Sequence, residues 1–532
     1  MLGQLALVCA LTLATGWVVG VAKLSQVLMT SSGGRFPIAS ERRAEAFLLT
    51  FGLSKAVGNL LVGAAADTVG RRPCMFVGWL IGALFVVAVL VAPSWGTVVA
   101  ADLLLGLNQA LCWSTALFVS MDLLGPTRRA CAVGLVETLG YTTIALASPI
   151  VAAAGHGAID GLHAWLLALC LVCAVLSGVA LRETRGLAIS EGAPSAAPRS
   201  AAPPASDVGV AGTAGTGSSR GGSAQCSVQC SAQCSGKRAD SVSRARPRAL
   251  VRWPSGREDE HSVVRLTFAH VSCLDAPLVA CCLVGFALNI ASAFAWGAFS
   301  RWLARVGAEP EGGAAGVAVG TALLCYSLPK GVLQLPAGVL ADRRVCRCGP
   351  REFVLLGLAL VALALAGLAA LAFATPSGGH VVTLAAPLAA LLGAGTAIAY
   401  SPVIACVAAR SDPSWRAAAM GTYRFWRDLG FAAGGLLLGG VADAAGGAPW
   451  APPLLASCAV AATALVFARA YPCDVGVTTQ PCLPAVGAGA DRGTQMAHCD
   501  GAGAGVGARS AGGAAGSAVH STYATLDEQP CP

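Results

Sequence analysis

Residues 330–344 read KGVLQLPAGVLADRR, and residues 55–67 read KAVGNLLVGAAAD. Each sets a lysine in apolar text and reaches an aspartate twelve positions later. A shift of 275 superimposes Lys55 on Lys330, Val57 on Val332, Leu60 on Leu335, Gly63 on Gly338, Ala66 on Ala341 and Asp67 on Asp342. A second echo, at a shift of 287, carries Gly106, Ser114, Pro126, Arg129, Ala132 and Gly134 onto Gly393, Ser401, Pro413, Arg416, Ala419 and Gly421. The sequence is therefore a duplication, with both copies running in the same direction.

What is duplicated follows from composition. Of the 532 residues 55% are hydrophobic and only 12% charged, with a mean hydropathy of +0.68; soluble domains carry about 25% charged residues. The apolar text falls into runs of about 20 residues, enough at ~1.5 Å per residue to cross a ~30 Å hydrocarbon layer as a helix. Twelve such runs are expected: 4–22, 44–66, 74–94, 98–121, 130–153 and 163–181, then 276–300, 314–341, 353–374, 382–408, 417–442 and 453–471. The first lacks a preceding basic residue and is longer than the core of a signal peptide, so it reads as a span. The fold class is all-α integral membrane: twelve transmembrane helices as two pseudo-symmetric six-helix bundles, 1–182 and 273–472. Between them 183–272, and after them 473–532, are rich in small and polar residues without apolar periodicity and read as a disordered linker and tail.

Basic residues set the orientation. Arg71, Arg72, Arg128 and Arg129, then Arg343, Arg344, Arg347, Arg351, Arg410 and Arg416, fall in loops on the side of the linker, whereas 94–97, 154–162, 375–381 and 443–452 carry no Lys or Arg. The positive-inside rule puts linker and tail in the cytosol. One loop dissents, 23–43, with Lys23, Arg35, Arg42 and Arg43. The net charge of +8 is mostly this topology signal, so it points to contact with anionic membrane lipid rather than to nucleic acid. The 21 cysteines avoid the expected external loops, which argues against disulfides; the repeat AQCSVQCSAQCS reads as low complexity.

The expected membrane interior carries charge. Lys55 and Lys330 each precede their aspartate by ~18 Å of helix, and Glu137, Arg424, Arg427 and Asp428 lie ~12 to 18 Å past Arg129 and Arg416. A lysine stem cannot snorkel that far. Each charge would cost ~2.5–3.5 kcal/mol at the centre of a lone helix, so the six must face a polar cavity or one another. Four cations against two acids leave an excess suited to an anionic or zwitterionic solute. Asn59, Asn108, Gln109, Trp113, Asn289, Trp296, Gln334 and Tyr400 are neutral candidates beside them, although polar residues in spans also serve helix packing.

GAAADTVGRR, from Gly63 to Arg72, resembles the signature loop between the second and third helices of the major facilitator superfamily, G-x-x-x-D-R-x-G-R-R, and GVLADRR, from Gly338, resembles its second-half copy. NQALCWSTALFVSMDLLGPTRRACAVGLVETLGY and SDPSWRAAAMGTYRFWRDLGF are similar to bacterial permeases of that superfamily, often described as efflux permeases. Thr68 stands where the signature has Arg, CRCGPR replaces the second G-R-R, and Ser148-Pro149 lacks the glycines of the drug/proton antiporter motif. The resemblance implies a gate of Gly63, Asp67, Gly70, Arg71 and Arg72, with Gly338, Asp342 and Arg343 in the second copy, and an Arg71 partner at the foot of helix 4, where Asp122 stands. It also implies that helix 5 packs on helix 8 and helix 2 on helix 11. Glu137 with Lys330 and Asp428 with Lys55 would then be ion pairs or water-bridged neighbours, leaving Arg424 and Arg427 to hold substrate.

No enzyme constellation, metal motif or Walker A stretch is found, so no cofactor is expected. The expectation is a monomeric secondary transporter of a small polar or anionic solute working by alternating access. Glu137 and Asp428 are the acids available for proton-coupled efflux; facilitative uptake, or a transporter-like sensor that binds without translocating, are the alternatives.

Overall fold

The computed structural model describes residues 1–125, 129–186, 260–306, 314–342, 349–374, 380–411 and 415–472. Among these, twelve long helical segments follow one another: α1 Leu2–Thr30, α2 Ala46–Thr68, α3 Arg71–Leu90, α4 Trp95–Leu124, α5 Arg129–Ala154 and α6 Ile159–Val179. The second set is α7, made of Ala276–Phe294, Ala295–Phe299 and Ser300–Val306; α8, made of Ala314–Val332 and Gln334–Asp342; α9 Pro350–Ala374; α10 His380–Arg410; α11 Arg416–Ala444; and α12 Ala451–Ala470. Eleven are long and apolar enough to cross a membrane. The exception is α11, which carries Arg416, Arg424, Arg427, Asp428 and Asp443.

The duplication is visible as packing. In the first half α1 lies on α5, α2 and α3 on α4, and α3 on α6; in the second α7 lies on α11, α8 and α9 on α10, and α9 on α12. The halves meet along two seams, α2 with α11 and α5 with α8. Along the first, a Cβ on Gly435 of α11 would sit 2.8 Å from that of Leu48 of α2, and one on Gly439 would sit 2.7 Å from the backbone of Arg42, in the segment before α2.

Two helices of the second half are broken. In α8 the turn falls at Leu333, because Pro336 has no N–H to offer the Val332 carbonyl; Leu333 still donates to Pro329 and Ala337 to Leu333. In α7 the widened π turn Ala295–Phe299 is filled by Ser300, whose hydroxyl donates to the Ala295 carbonyl at 2.7 Å.

Three boundaries differ from the sequence expectation. α1 runs on to Thr30, so Lys23 lies inside a helix and is 1% exposed rather than in a loop. Residues 183–186 pack under α3, and a helix at Glu260–Ala269 continues through a π turn at His270–Leu274. That helix seats Phe268 between Phe425 and Trp426 of α11, while Ser272 accepts the Trp426 indole N–H at 2.8 Å. Both ends of the expected linker are therefore ordered; the rest of it and the tail lie outside the described residues.

Candidate functional site

The two lysines sit in matching surroundings. The backbone of α2 at Phe51 and Lys55 packs on Gly106 of α4, and that of α8 at Tyr326 and Lys330 packs on Gly393 of α10, the two glycines being repeat equivalents. Each amine lies near the ring one turn back: Lys55 is 5.4 Å from the Phe51 centroid and Lys330 is 5.2 Å from that of Tyr326. Lys55 also faces Trp113 at 5.6 Å, and Lys330 faces Tyr141 at 4.5 Å. One turn on, Ser114 donates to the Asn59 side-chain oxygen at 2.8 Å, and its equivalent Ser401 donates to the Gln334 backbone oxygen at 3.0 Å.

The acids, however, go to arginines. Asp428 is fully buried and accepts two bonds from its neighbour Arg427, both at 2.7 Å. Asn289 of α7 donates to it at 3.1 Å, and Asn59 of α2 donates to its other oxygen. Arg427 also donates to the Tyr400 hydroxyl. Glu137, 1% exposed, pairs with Arg424 at 3.5 Å and accepts the Trp113 indole N–H at 3.1 Å, while Arg424 reaches on to Ser114 at 3.0 Å. One network thus runs Tyr400–Arg427–Asp428–Asn59–Ser114–Arg424–Glu137–Trp113 and crosses between the halves.

The expected partners form no direct ion pair. Among the described residues neither lysine is within 4 Å of an acid; Lys330 instead donates to Ser292 at 2.9 Å and Tyr326 at 3.0 Å. The acids do occupy the expected helices and depth, but α11 presents its own guanidiniums to them first. Glu137 and Arg424 are repeat equivalents at the 287-residue shift, opposite charges at one position, and they meet across the pseudo-twofold. Other neutral candidates serve packing: Asn108 donates to Gly78 of α3 at 2.8 Å and Gln109 to Asn108 at 3.1 Å. Trp296 is buried in the π turn of α7.

On the linker face the signature folds as a corner. Gly70, at φ 111°, turns the chain from α2 into α3. Arg71 Nε lies 3.2 Å from Asp122 at the foot of α4 and its NH1 donates to Ala66 at 2.8 Å, while Thr184 donates to Asp122 at 2.7 Å. Arg72 donates to Gly178 of α6. Glu183 closes the corner: its carboxylate accepts the backbone N–H of Arg71 at 2.9 Å and of Arg72 at 3.0 Å, the first turn of α3. Burial would raise its pKa, but the backbone N–H groups of Arg71, Arg185 and Arg72 outweigh that and hold the carboxyl below its ordinary value. The Arg71–Asp122 pair joins α3 to α4 inside one half, so it does not itself bridge the halves. The side chains of Asp67 and Asp342, and all of Arg343, lie outside the described residues. Gly338 abuts Ser401.

The opposite, far face is where the halves are tied. Arg301 at the end of α7 pairs with Glu41 at 2.5 Å and donates to the Thr30 hydroxyl at 2.9 Å and the Ile38 carbonyl at 3.0 Å. Asp443 at the end of α11 accepts the Ser40 hydroxyl at 2.8 Å and the backbone N–H of Glu41 at 2.7 Å. Toward the linker face, a Cβ on Gly63 of α2 or Gly421 of α11 would meet no atom within 4 Å.

Sequence reading missed one further cluster beside the α2–α11 seam. Lys23 of α1 lies with its amine over the Phe51 ring at 3.6 Å, flanked by Phe47 at 5.5 Å and Phe431 at 5.4 Å, and has no hydrogen-bond partner among the described residues. One turn on, Gln26 donates to both oxygens of the fully buried Asp102 of α4, at 3.0 and 2.8 Å.

Solved structures share this architecture. The nucleoside transporter NupG superimposes with a TM-score of 0.59 at 13% identity, covering 88% of this chain and all of that one. The human organic anion transporter MFSD10 gives 0.53 at 16%, covering 87% and 98%. A POT family transporter in complex with a thioalcohol-conjugated peptide gives 0.56 at 9%, covering 87% and 95%. No curated protein matches by sequence. The sequence profile of the Major Facilitator Superfamily matches residues 5–299 and 281–481, across both halves and both signature corners. With its repeated six-helix bundles, paired seams and signature corner, this chain belongs to the Major Facilitator Superfamily.

Proposed function

We propose that the chain is a secondary transporter that moves a small polar or anionic solute by alternating access, with Lys55 and Lys330 meeting the solute. The observation that carries this reading is the division of charge at the seam. Arg424 and Arg427 are engaged by Glu137 and Asp428, while the two lysines, one per half, have aromatic and hydroxyl neighbours and no acid within 4 Å. The substrate role moves from the arginines to the lysines, and the arginine pairs become the rigid wall of the site. Lys55 is half-buried, one turn from the Asn59–Asp428 contact between the halves.

The basic loops favour a cytosolic linker face, and the far-face ties of Arg301 and Asp443 favour an inward-facing state. Reversal would break the Arg301 and Asp443 ties and close the corner at Gly63 and Arg71. Protons as the coupling ion, and efflux as the direction, complete the reading; facilitative uptake and a non-transporting sensor are the competing ones.

The test is flux in proteoliposomes of the full-length protein after a metabolite uptake and efflux screen. Losing a charge-assisted hydrogen bond worth roughly 1.5–3 kcal/mol should raise the apparent KM of an anionic solute about ten- to a hundredfold in K55Q or K330Q. Unchanged flux in both variants sinks the lysine assignment. Binding without flux in the wild type establishes a sensor, and flux indifferent to a pH gradient establishes uniport.

A further inference from the structure

Asp102 and Lys23 occupy one depth. Each lies seven residues inside the far-face end of its helix, Thr30 for α1 and Trp95 for α4, so ~10 Å from that end, between the far-face ties and Lys55. Neither is used by the arginine network. Asp102 is 0% exposed, and its two oxygens share a single neutral donor, the Gln26 amide. Among the described residues no cation lies within 4 Å of it. A carboxylate so placed holds its charge at high cost unless it takes a proton or a cation comes closer. The Gln26 side-chain oxygen is buried without a partner. Once Asp102 is protonated and the amide turns over, the acid O–H donates to that oxygen while the amide N–H still serves the other carboxyl oxygen, so the orphan is satisfied only in the protonated state. Lys23 is the matching anomaly: an amine 1% exposed, packed over three phenyl rings, with no acceptor.

The surroundings single out this pair. From α2, Lys55 shares the Phe51 ring with Lys23, the two amines lying 5.4 and 3.6 Å from one centroid. From the segment before α2, the Glu45 carboxylate packs against Gly297 of α7. Arg301 of α7 is held by Glu41, Glu137 of α5 by Arg424, and Asp428 of α11 by Arg427. The charges of α3 sit at its linker-face start.

We propose that Asp102 and Lys23 form the proton-binding pair of this protein, loading and unloading one proton per cycle and transmitting the change to Lys55 across Phe51. The proton is taken from water on one face, binds an Asp102 oxygen, and is returned to water on the other. The pair then goes from net neutral to net +1, and the added positive charge beside Lys55 favours an anion there. By reciprocity the bound anion favours the proton, so proton and anionic solute travel together, and the proton-driven direction becomes uptake in place of the efflux proposed above. This rests on the transport reading above and moves the coupling acid from Glu137 and Asp428, each tied to an arginine, to Asp102.

The probe is the proton itself. Full-length protein in phosphatidylcholine liposomes is titrated from mildly alkaline to mildly acidic pH and followed by infrared difference spectroscopy of the protonated-carboxyl band. The expected result is a band lost in D102N, retained in E137Q and D428N, and moved in midpoint by K23M but not by R424Q. A band that survives in D102N, or no titrating band in the wild type, overturns the proposal. Should D102N not fold, D102E decides: its band shifts in frequency when residue 102 is the titrating acid, and an unshifted band overturns the assignment. The readout needs no flux, so a chain that protonates Asp102 but moves no solute sinks the transport reading alone. Flux with an unaltered band in D102N sinks only this one.

Discussion

The two halves place Lys55 and Lys330 with the same parts, a glycine of the fourth helix of the half behind and an aromatic ring one turn back. They differ at the fifth helix of each half. There α5 carries one acid, Glu137, whereas α11 carries Arg424, Arg427 and Asp428. Duplication by itself would set like against like across the pseudo-twofold, which for charges is repulsive. Divergence of one repeat position into Glu137 and Arg424 turns that contact into an attraction, and Asp428 then neutralises the second arginine. What was kept is the backbone packing that sets the lysines' depth. What changed is the charge that decides which cations stay free.

Removing half of the α11 pair is the harshest way to break this division. Asp428→Leu strands the Arg427 guanidinium, 6% exposed, and should cost about 3–5 kcal/mol. Adding Arg427→Leu removes the orphan charge and should recover much of that loss. Thermal unfolding in detergent measures both; a double change merely additive in its singles would show that the two side chains act independently.

The far face is a second asymmetry, since the second half supplies Arg301 and Asp443 and the first half's 31–45 segment receives both. Arg301→Ala leaves Glu41, 2% exposed, without its guanidinium, and about 3 kcal/mol of the far-closed state should go with it. Hydrogen–deuterium exchange over 31–45 should rise while exchange at the start of α3 stays as it was. A uniform rise would mean general destabilisation instead of release of one face.

Exchanging the diverged position sharpens the comparison. Glu137→Arg or Arg424→Glu alone leaves two like charges facing in a buried site and should cost about 3 kcal/mol. The swap of both should regain part of it, because the pair is restored while the Trp113 N–H now faces a cation. A swap no better than the worse single change would remove the ion pair from the account.

How far these features could be read in advance follows physical lines. Span positions and the doubled lysine were legible because length, apolarity and fixed repeat shifts are one-dimensional quantities. Arg71–Asp122 was legible because the signature and the foot of helix 4 fix both partners on the linker face. The pairing of the lysines was not, because depth follows from ~1.5 Å per residue but direction turns ~100° per residue, and Arg424, Arg427 and Asp428 stand within four positions. Lys23 and Glu183 were missed for opposite reasons. A lysine was read as the end of a span although three phenyl rings shelter it, and an acid at the edge of polar text was read as linker although two backbone N–H groups bind it.

That acid supplies the mildest test, at a corner where the halves cap equivalent helices differently. The first turn of α3 is capped from outside by Glu183, whereas at α9 Glu352 of its own first turn accepts the Gly349 N–H at 2.8 Å. A carboxylate at a helix N-terminus contributes roughly 0.3–1 kcal/mol, and Glu183 is exposed, so the lower end applies. Because its folded pKa lies below the ordinary carboxylate value, its contribution is fully present above that value, about 4.3, and is lost as pH falls through the folded one. Glu183→Ala should therefore speed amide exchange in the first turn of α3 at neutral pH, and the gap to wild type should close on acidification below about pH 4. A gap that persists at acid pH would assign the cap to packing of the 183–186 segment and not to charge.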